Sequence, residues 1–326
     1  MIKILGVLPR FYKASGAYLS DLKLLDCLAK RRFDVKVYYL RSGPKTDDGQ
    51  AKIVRSRSLR VLKDLFDWSD LVITQGNAIS RAVNRGKPVA YCVHNDYRVD
   101  TKESLYNIKP EEISLMIFNS EWVKANASWG KDSIVVNPLV FPEEYRTTRG
   151  DRITLVNTSE MKGANTFFAI AKRMPERKFL GVRGWGKQVE EVLQNVTIIP
   201  PTDNIRDDVY SKTRVLLMPS QHINSGSWVW TESWGRVGIE AMCSGIPVIA
   251  HPTPGTRESL SYAGIFVDRD DIDGWVRSIR RLDCLGGYRR QSELALKRAS
   301  ELDPIPQVDA LAELIRERLR VWQKAF

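Results

Sequence analysis

The chain has 326 residues, of which 43% are hydrophobic and 27% are charged. This balance is typical of a soluble globular protein, and the length suits about two domains of ~150 residues each. No apolar run approaches the ~20 residues that span a bilayer, and the apolar run at residues 2–7 is too short for a signal peptide. We therefore expect a cytoplasmic protein without a transmembrane segment.

The net charge of +11 is unevenly distributed along the chain. The first 150 residues hold 25 Lys and Arg against 17 Asp and Glu, and much of this excess lies between Lys30 and Lys63. Two interpretations stay open: a solvated face with a loop, or a basic patch for DNA or for an anionic membrane surface. No nucleic-acid-binding motif accompanies the stretch.

Cysteine and histidine are too few and too scattered to indicate a metal site. The four cysteines form no CxxC pair, and the only histidines are His94, His222 and His251. Three cysteines lie in apolar surroundings, which favours buried free thiols over disulfides or zinc ligands. We expect no metal and no cofactor.

The first 140 residues alternate apolar runs of strand length with helical patterns. The predicted strands are 2–7, 33–40, 70–76, 88–93, 115–118 and 134–138. Gly16 stands in a loop just before a helix with leucines at helical spacing, which completes a βαβ unit and predicts a parallel sheet. His94 follows the fourth strand, where ligands of open α/β sheets bind. Asn119 or Ser120 is expected to cap the next helix.

The same plan restarts after a polar stretch at residues 141–151, which is predicted to be a linker. Further strands are predicted at 153–157, 178–182, 196–199, 215–220, 246–250 and 263–267, and long helices at 272–282, 287–302 and 307–324. We predict an α/β protein of two doubly wound, Rossmann-like domains, 1–145 and 150–305, that face each other across a cleft. A C-terminal helix, 306–326, is expected to pack back toward the first domain.

Residues 228–260 hold the most informative pattern in the chain. Glu232 and Glu240 are separated by seven residues, and a helical pattern begins after Gly235 between them. A helix N-terminus offers unpaired N–H groups and a positive dipole end, which suit a phosphate. Carboxylates beside such an anion site indicate a ligand with both hydroxyls and phosphates, such as a sugar nucleotide.

This pattern, ESWGRVGIEAMCSGIPVIA followed by PGTRESL, resembles the E-x7-E region of the retaining glycosyltransferases of family 4. The resemblance implies the GT-B fold and a metal-independent transfer of sugar from a nucleoside-diphosphate donor, with retention of configuration. It covers most of the second half of the chain and is looser in the first half. The sequence departs from the family pattern at Trp234, where Phe is usual, and at Pro254-Gly255, where the family has two glycines.

The resemblance also implies roles for individual residues. Glu232 would bind the transferred sugar near its anomeric carbon, Glu240 the ribose hydroxyls, and Lys162 the departing diphosphate. Main-chain amides would contact the sugar or the phosphates around three residues: Trp234, Gly235 and Arg236.

In the first half, Gly16 would belong to the donor site, and His94 would contact the donor sugar or assist proton movement. The arginine that the family places shortly before the lysine is missing, since residues 156–159 read VNTS. Arg183 and Arg236 are candidates to replace it.

Several alternatives stay open at this point. Residues 268–271, DRDD, look like a metal-binding DxD motif, but we interpret them as a turn and a helix cap. The fold could serve a non-catalytic nucleic-acid-binding protein or a nucleotide-sugar epimerase. The acceptor could be a modified base in DNA, an anionic lipid, a protein or a small metabolite, and the sequence leaves the donor sugar, its base and the oligomeric state open.

Overall fold

The computed structural model describes residues 1–10, 16–44, 49–94, 109–127, 131–221, 223–224 and 229–324, and these fall into two compact units. The first unit comprises the described chain up to Leu139 together with the segment that begins at Pro304. The second unit runs from Val140 to Asp303.

The first unit is built on a parallel sheet of seven strands in the order β3-β2-β1-β4-β5-β6-β7. Its strands are β1 (Lys3–Leu8), β2 (Asp34–Tyr39), β3 (Lys52–Val54), β4 (Leu71–Gln75), β5 (Val89–Val93), β6 (Leu115–Phe118) and β7 (Ser133–Val135). Its helices are α1 (Gly16–Ala29), α2 (Leu59–Trp68), α3 (Ile79–Ala82) and α4 (Glu121–Asn126). The central strands are buried along their whole length, which explains why they read as continuous apolar runs in the sequence.

The second unit repeats this plan with six parallel strands in the order β10-β9-β8-β11-β14-β15. Its strands are β8 (Arg152–Val156), β9 (Phe179–Val182), β10 (Val196–Ile199), β11 (Thr213–Met218), β14 (Val248–Ala250) and β15 (Gly264–Phe266), with a separate antiparallel pair β12 (Ile223–Asn224) and β13 (Val229–Trp230). Its helices are α5 (Pro142–Tyr145), α6 (Ala164–Arg173), α7 (Ile205–Asp208), α8 (Arg236–Met242), α9 (Pro254–Leu260), α10 (Ile272–Arg281) and α11 (Leu285–Glu301). The predicted pair of Rossmann-like domains is therefore confirmed.

In both sheets the chain order reverses next to the first strand. The reversal lies between β1 and β4 in the first unit and between β8 and β11 in the second. Such a switch point opens a crevice at the carboxyl ends of the strands, where doubly wound folds bind their ligands.

The last helix, α12 (Pro304–Gln323), belongs to the first unit although the second unit precedes it in the chain. Asp132 fixes it there: Arg318 Nε and Nη2 donate to its carboxylate at 3.0 and 3.1 Å, and Trp322 Nε1 donates at 2.8 Å. Near the start of the helix, Gln307 Oε1 accepts a hydrogen bond from Asn137 N at 2.7 Å. These contacts lie within one unit, so α12 completes the first domain.

Some predicted boundaries differ from the structure. Residues 141–151, predicted as a polar linker, contain α5, and its Tyr145 is buried in the core of the second unit. Strand β3 was not predicted, and α12 begins at Pro304 rather than at residue 307. The predicted cap of α4 is confirmed, because Ser120 Oγ accepts from Val123 N at 3.2 Å.

The prediction of buried thiols is confirmed for three of the four cysteines. Cys27, Cys92 and Cys243 are buried and free, whereas Cys284 is exposed.

Candidate functional site

The loops after four strands of the second sheet lie at its carboxyl edge. Residues 157–163 follow β8, residues 219–221 follow β11, residues 251–253 follow β14, and residues 267–271 follow β15. Because all four strands are parallel, these loops share one edge, and this edge contains the switch point between β8 and β11. This edge is the candidate site of the second unit.

Lys162 and Glu232 form an ion pair in this site. Lys162 ends a 3₁₀ turn after β8, and its Nζ donates to Glu232 Oε2. Ser220 Oγ donates to the same carboxylate oxygen at 3.1 Å. The two charged side chains are 19% and 13% exposed, so each is largely shielded from water but keeps some surface that a ligand can reach.

Two glycines permit the close approach of backbone segments that builds this site. Gly163 has φ +87°, and a Cβ on it would lie 2.1 Å from the carbonyl oxygen of Pro219. A Cβ on Gly255 would lie 2.3 Å from the carbonyl oxygen of Glu232. Both distances are far below van der Waals contact, so larger residues at either position would push Lys162 or Glu232 out of place.

Trp234 and Gly235 shape the start of α8. Trp234 is 3% exposed, so its side chain belongs to the interior of the unit. Gly235 has φ +83° and is followed directly by the first residue of α8. The predicted contact of their main-chain amides with a donor stays a prediction.

Glu240 lies in a buried cluster with Arg236, Tyr210 and Tyr145. Arg236 Nε lies 2.9 Å from Glu240 Oε1, and Tyr210 Oη donates to Glu240 Oε2 at 2.6 Å. Arg236 Nη2 donates to Tyr145 Oη at 2.5 Å, and the two tyrosine rings pack edge to face. Arg236 Nε and Nη1 have no partner with hydrogen-bond geometry among the described residues.

Burial and charge act together on the titratable groups of this cluster. Burial, followed by the charge of Glu240, raises the pKa of Tyr210 and that of Tyr145 well above the usual value. Burial alone would lower the pKa of Arg236, but the charge of Glu240 and the contacts with Tyr145 and Tyr210 together outweigh burial, and the pKa rises. At neutral pH the cluster therefore contains two neutral phenols and a cation.

The two arginines that were candidates to replace the missing family arginine lie in different surroundings. Arg183 is half exposed and pairs with Glu190 at 3.0 Å. Arg236 is buried against Glu240.

A third arginine, which sequence reasoning missed, lies at the carboxyl edge of the sheet. Arg269 follows β15, and its side chain is 18% exposed. Its only signal in the sequence is its position after a strand, which it shares with many residues.

The prediction that residues 268–271 form a turn and a helix cap is confirmed. Asp271 Oδ1 accepts from Gly274 N at 2.8 Å at the start of α10, and Asp268 Oδ1 accepts from Asp270 N at 3.0 Å.

In the first unit, His94 follows β5 and contacts a carboxylate that sequence reasoning did not identify. His94 Nε2 lies 2.7 Å from Oδ1 of Asp21, which projects from α1 and is buried. Burial, followed by the charge of Asp21, raises the pKa of the Cys92 thiol well above its usual value. Asp21 was missed because a polar residue in an amphipathic helix normally faces solvent.

Gly16 begins α1 in the same unit. Ser15, which precedes Gly16, residues 95–96, which follow His94, Trp228 at the start of the 228–260 segment, and residues 45–48 of the basic stretch lie outside the described residues.

Part of the second unit matches a known protein family. Residues 154–283 match the family described as glycosyl transferases group 1. The match lies within the second unit and supports glycosyl transfer as the activity. No curated protein sequence matches the chain.

Solved structures match almost the whole chain. The HepE protein of Anabaena in complex with UDP-glucose has a TM-score of 0.78 at 17% identity, over 97% of this chain and 100% of that one. WaaG, a glycosyltransferase involved in lipopolysaccharide biosynthesis, has a TM-score of 0.70 at 14% identity, over 96% and 99%. An alpha-glucosyltransferase in complex with UDP and a 13-mer DNA has a TM-score of 0.71 at 14% identity, over 97% and 100%. The predicted GT-B fold is thus confirmed.

Among the described residues, no helix combines the length and the apolar character that crossing a membrane requires.

Proposed function

We propose that the protein is a retaining glycosyltransferase that moves a sugar from a nucleoside-diphosphate donor to an acceptor. The observation that carries the proposal is the Lys162–Glu232 pair at the carboxyl edge of a glycosyltransferase group 1 domain. A cation and a carboxylate in contact suit a ligand that presents phosphate oxygens and sugar hydroxyls side by side. The complexes of HepE with UDP and glucose support uridine diphosphate as the nucleotide part.

In this proposal Lys162 stabilises the departing diphosphate and Glu232 accepts hydrogen bonds from the transferred sugar. Negative charge grows on the diphosphate as the glycosidic bond breaks, and a fixed cation lowers the energy of that state. Ser220 restrains the Glu232 carboxylate through the hydrogen bond to Oε2. Main-chain amides from Trp234 to Arg236 are proposed to contact the sugar or the phosphates, and no metal ion is required.

Glu240 is proposed to bind the ribose hydroxyls. Each of its oxygens already has one neighbour, Arg236 or Tyr210, but an ionised carboxylate offers about four acceptor positions. Its 4% exposure limits the ribose to contact at one edge. Arg236 and Tyr210 would then hold the carboxylate in a fixed orientation before the nucleotide arrives.

The acceptor is proposed to bind to the first unit, with His94 contacting the sugar or assisting proton movement and Gly16 near the donor. Retention is explained by attack on the face from which the diphosphate leaves, with a phosphate oxygen taking the acceptor proton. Asp21 would fix the imidazole orientation of His94 through its 2.7 Å contact.

A polyanionic or membrane-bound acceptor is supported by the basic stretch of the first unit. Lys52, Arg55, Arg57, Arg60 and Lys63 are exposed, and none pairs with a carboxylate among the described residues. Both a DNA acceptor and an anionic lipid acceptor suit this surface. One structural neighbour was solved with DNA and another acts in lipopolysaccharide biosynthesis.

Calorimetric titration with UDP and UDP-glucose tests the proposal. Wild-type protein is expected to bind both, and saturation at 100 times Kd would stabilise the folded state by about 2.7 kcal/mol. Lys162→Ala is expected to weaken UDP binding at least about tenfold, since charge-assisted hydrogen bonds contribute about 1.5–3 kcal/mol. Lys172→Ala is the matched control, because Lys172 is an exposed lysine in the same unit.

The proposal fails if no nucleotide sugar binds, or if Lys162→Ala binds UDP as tightly as the control. Analysis of the products separates the alternatives. A new sugar nucleotide formed from the donor alone would indicate an epimerase. Salt-dependent DNA binding without turnover of donor would indicate a nucleic-acid-binding protein.

A further inference from the structure

The guanidinium of Arg269 is held near the Lys162–Glu232 pair by a neutral side chain. With the Gln221 amide oxygen facing it, Arg269 Nη1 and Nη2 donate to that oxygen at 2.7 and 2.9 Å. Arg269 Nε is buried and has no hydrogen-bond partner among the described residues. The cation is therefore oriented by an amide and keeps its charge for another partner.

Nearby carboxylates leave most of this charge uncompensated. Asp270 Oδ1 lies 3.8 Å from Arg269 Nε, and the Asp270 side chain is 90% exposed. Asp268 is also mainly exposed, and Asp271 caps α10 and lies beside Arg277. These carboxylates are exposed to water, which screens their charge, whereas the Arg269 side chain is largely buried.

Backbone contacts tie Arg269 to the residues of the proposed donor site. Gln221 N donates to the carbonyl oxygen of Met161 at 2.9 Å, and Met161 directly precedes Lys162. Ser220, the neighbour of Gln221, donates to Glu232. Residues 161–162, 220–221 and 269 therefore meet at one edge of the sheet.

A second set of contacts fixes the backbone of Arg269 itself. Its N–H donates to His251 Nδ1 at 3.1 Å, and its carbonyl oxygen accepts from Thr166 Oγ1 at 3.3 Å. The main chain is thus anchored independently of the guanidinium, so a side-chain substitution can leave the loop in place.

We propose that Arg269 is the second cation of the donor site and binds the terminal phosphate of a nucleoside diphosphate. This inference rests on the proposed function and assigns to Arg269 the charge that neither Arg183 nor Arg236 is placed to supply. Arginine suits the task because its planar fork can bind two phosphate oxygens at once, and a poorly hydrated cation gains more from such a bond than an exposed one. Lys162 and Arg269 would together stabilise the charge that develops on the departing diphosphate.

The test compares UDP with UMP, which lacks the terminal phosphate, by calorimetric titration of the full chain. Arg269→Gln is expected to reduce the preference for UDP over UMP at least about fivefold, with UMP affinity little changed, because only the charge at the terminal phosphate is lost. Arg269→Lys keeps the charge and is expected to retain most of the preference. Arg183→Gln, a substitution of a half-exposed arginine in the same unit, is the matched control.

The inference is overturned if Arg269→Gln keeps the wild-type preference for UDP, or if it weakens UDP and UMP equally. Should Arg269→Gln fail to fold, Gln221→Ala replaces it: this variant keeps the cation but removes its anchor and is expected to reduce the same preference. Wild-type protein that binds neither nucleotide would overturn the proposed function itself. Wild-type binding that depends on Lys162 but not on Arg269 would overturn this inference alone.

Discussion

The two glutamates of the E-x7-E pattern lie in different environments although they belong to one short segment. Glu232 is part of an ion pair at the edge of the sheet, where Lys162 and Ser220 contact one of its oxygens. Glu240 is buried and compensates Arg236. Substitutions at the two positions therefore test different properties. A substitution of Glu232 tests a proposed ligand contact, whereas a substitution of Glu240 tests both a proposed ligand contact and the stability of the fold.

Replacing Glu240 by Ala is expected to destabilise the protein by about 3–5 kcal/mol, because it leaves the buried Arg236 cation unpaired. Glu240→Gln keeps an acceptor for Tyr210 and is expected to cost less. Urea unfolding of both variants measures the difference, with Glu293→Ala as an exposed control on α11. Equal stabilities of Glu240→Ala and the control would contradict the buried-pair description.

The raised pKa of Tyr145 predicts that the folded state loses stability at alkaline pH. Burial, followed by the charge of Glu240, raises the pKa of Tyr145 in the folded state, whereas the unfolded phenol ionises near pH 10. Above about pH 10 unfolding releases a proton that the folded state retains, so the stability from this group is present below pH 10 and declines above it. Tyr145→Phe is expected to show a smaller decline in its urea midpoint between about pH 8 and about pH 10.5, and parallel curves would refute this.

At the residue scale, charged residues of the candidate site could be predicted from the sequence more readily than the residues that contact them. Lys162 and Glu232 were identified, and the structure brings them into contact. Asp21 and Arg269 were not identified, because each becomes noticeable only when the fold places it beside a residue from a distant segment. His94 and Asp21 are 73 positions apart, and no local pattern encodes such a pairing.

At the element scale, long buried strands were predicted well and short elements were not. A continuous apolar run such as that of β4 or β5 can be recognised in the sequence as a buried strand. Strand β3 has one exposed and two partly exposed residues, and α5 spans four residues among polar neighbours, so neither carries enough pattern to be recognised. Short elements of this kind are set by tertiary contacts, such as the packing of Tyr145 on Tyr210.

Gly163 lies between Lys162 of the candidate site and the start of α6. Its substitution tests whether the backbone at this boundary positions Lys162. Gly163→Ala is expected to destabilise the protein by at least about 2 kcal/mol, since left-handed backbone costs about 1–2 kcal/mol and overpacking costs about 1–3 kcal/mol. It should also weaken UDP binding by displacing Lys162. Thermal unfolding and calorimetry measure the two effects.

The matched control is Gly286→Ala. Gly286 lies in the helix α11, and a Cβ on it would have no atom of the described residues within 4 Å apart from its chain neighbours and the nearby backbone of its own helix. This substitution is expected to be neutral or slightly stabilising, because alanine favours the helix. If both variants behave alike, the close approach of Gly163 to Pro219 does not constrain the site.

At the scale of the whole molecule, α12 gives the first unit its final contacts. Asp132→Ala removes the acceptor of Arg318 and Trp322 and is expected to lower the free energy of unfolding by about 1–2 kcal/mol, since the arginine is partly exposed. UDP affinity should stay close to the wild-type value, because Lys162, Glu232 and Glu240, which are proposed to bind the donor, belong to the second unit. A large loss of UDP affinity at unchanged stability would contradict this separation.

The return of α12 also determines when the first unit can complete its fold during synthesis. Residues 1–139 leave the ribosome first, but Asp132 and Asn137 find their partners only after the intervening residues 140–303 and α12 have been made. At ~5–20 residues per second, the 164-residue delay lasts roughly 10–30 seconds. During that interval the surface that α12 will cover, including part of α1, is exposed to chaperones and proteases, and a chain that stops before Pro304 never covers it.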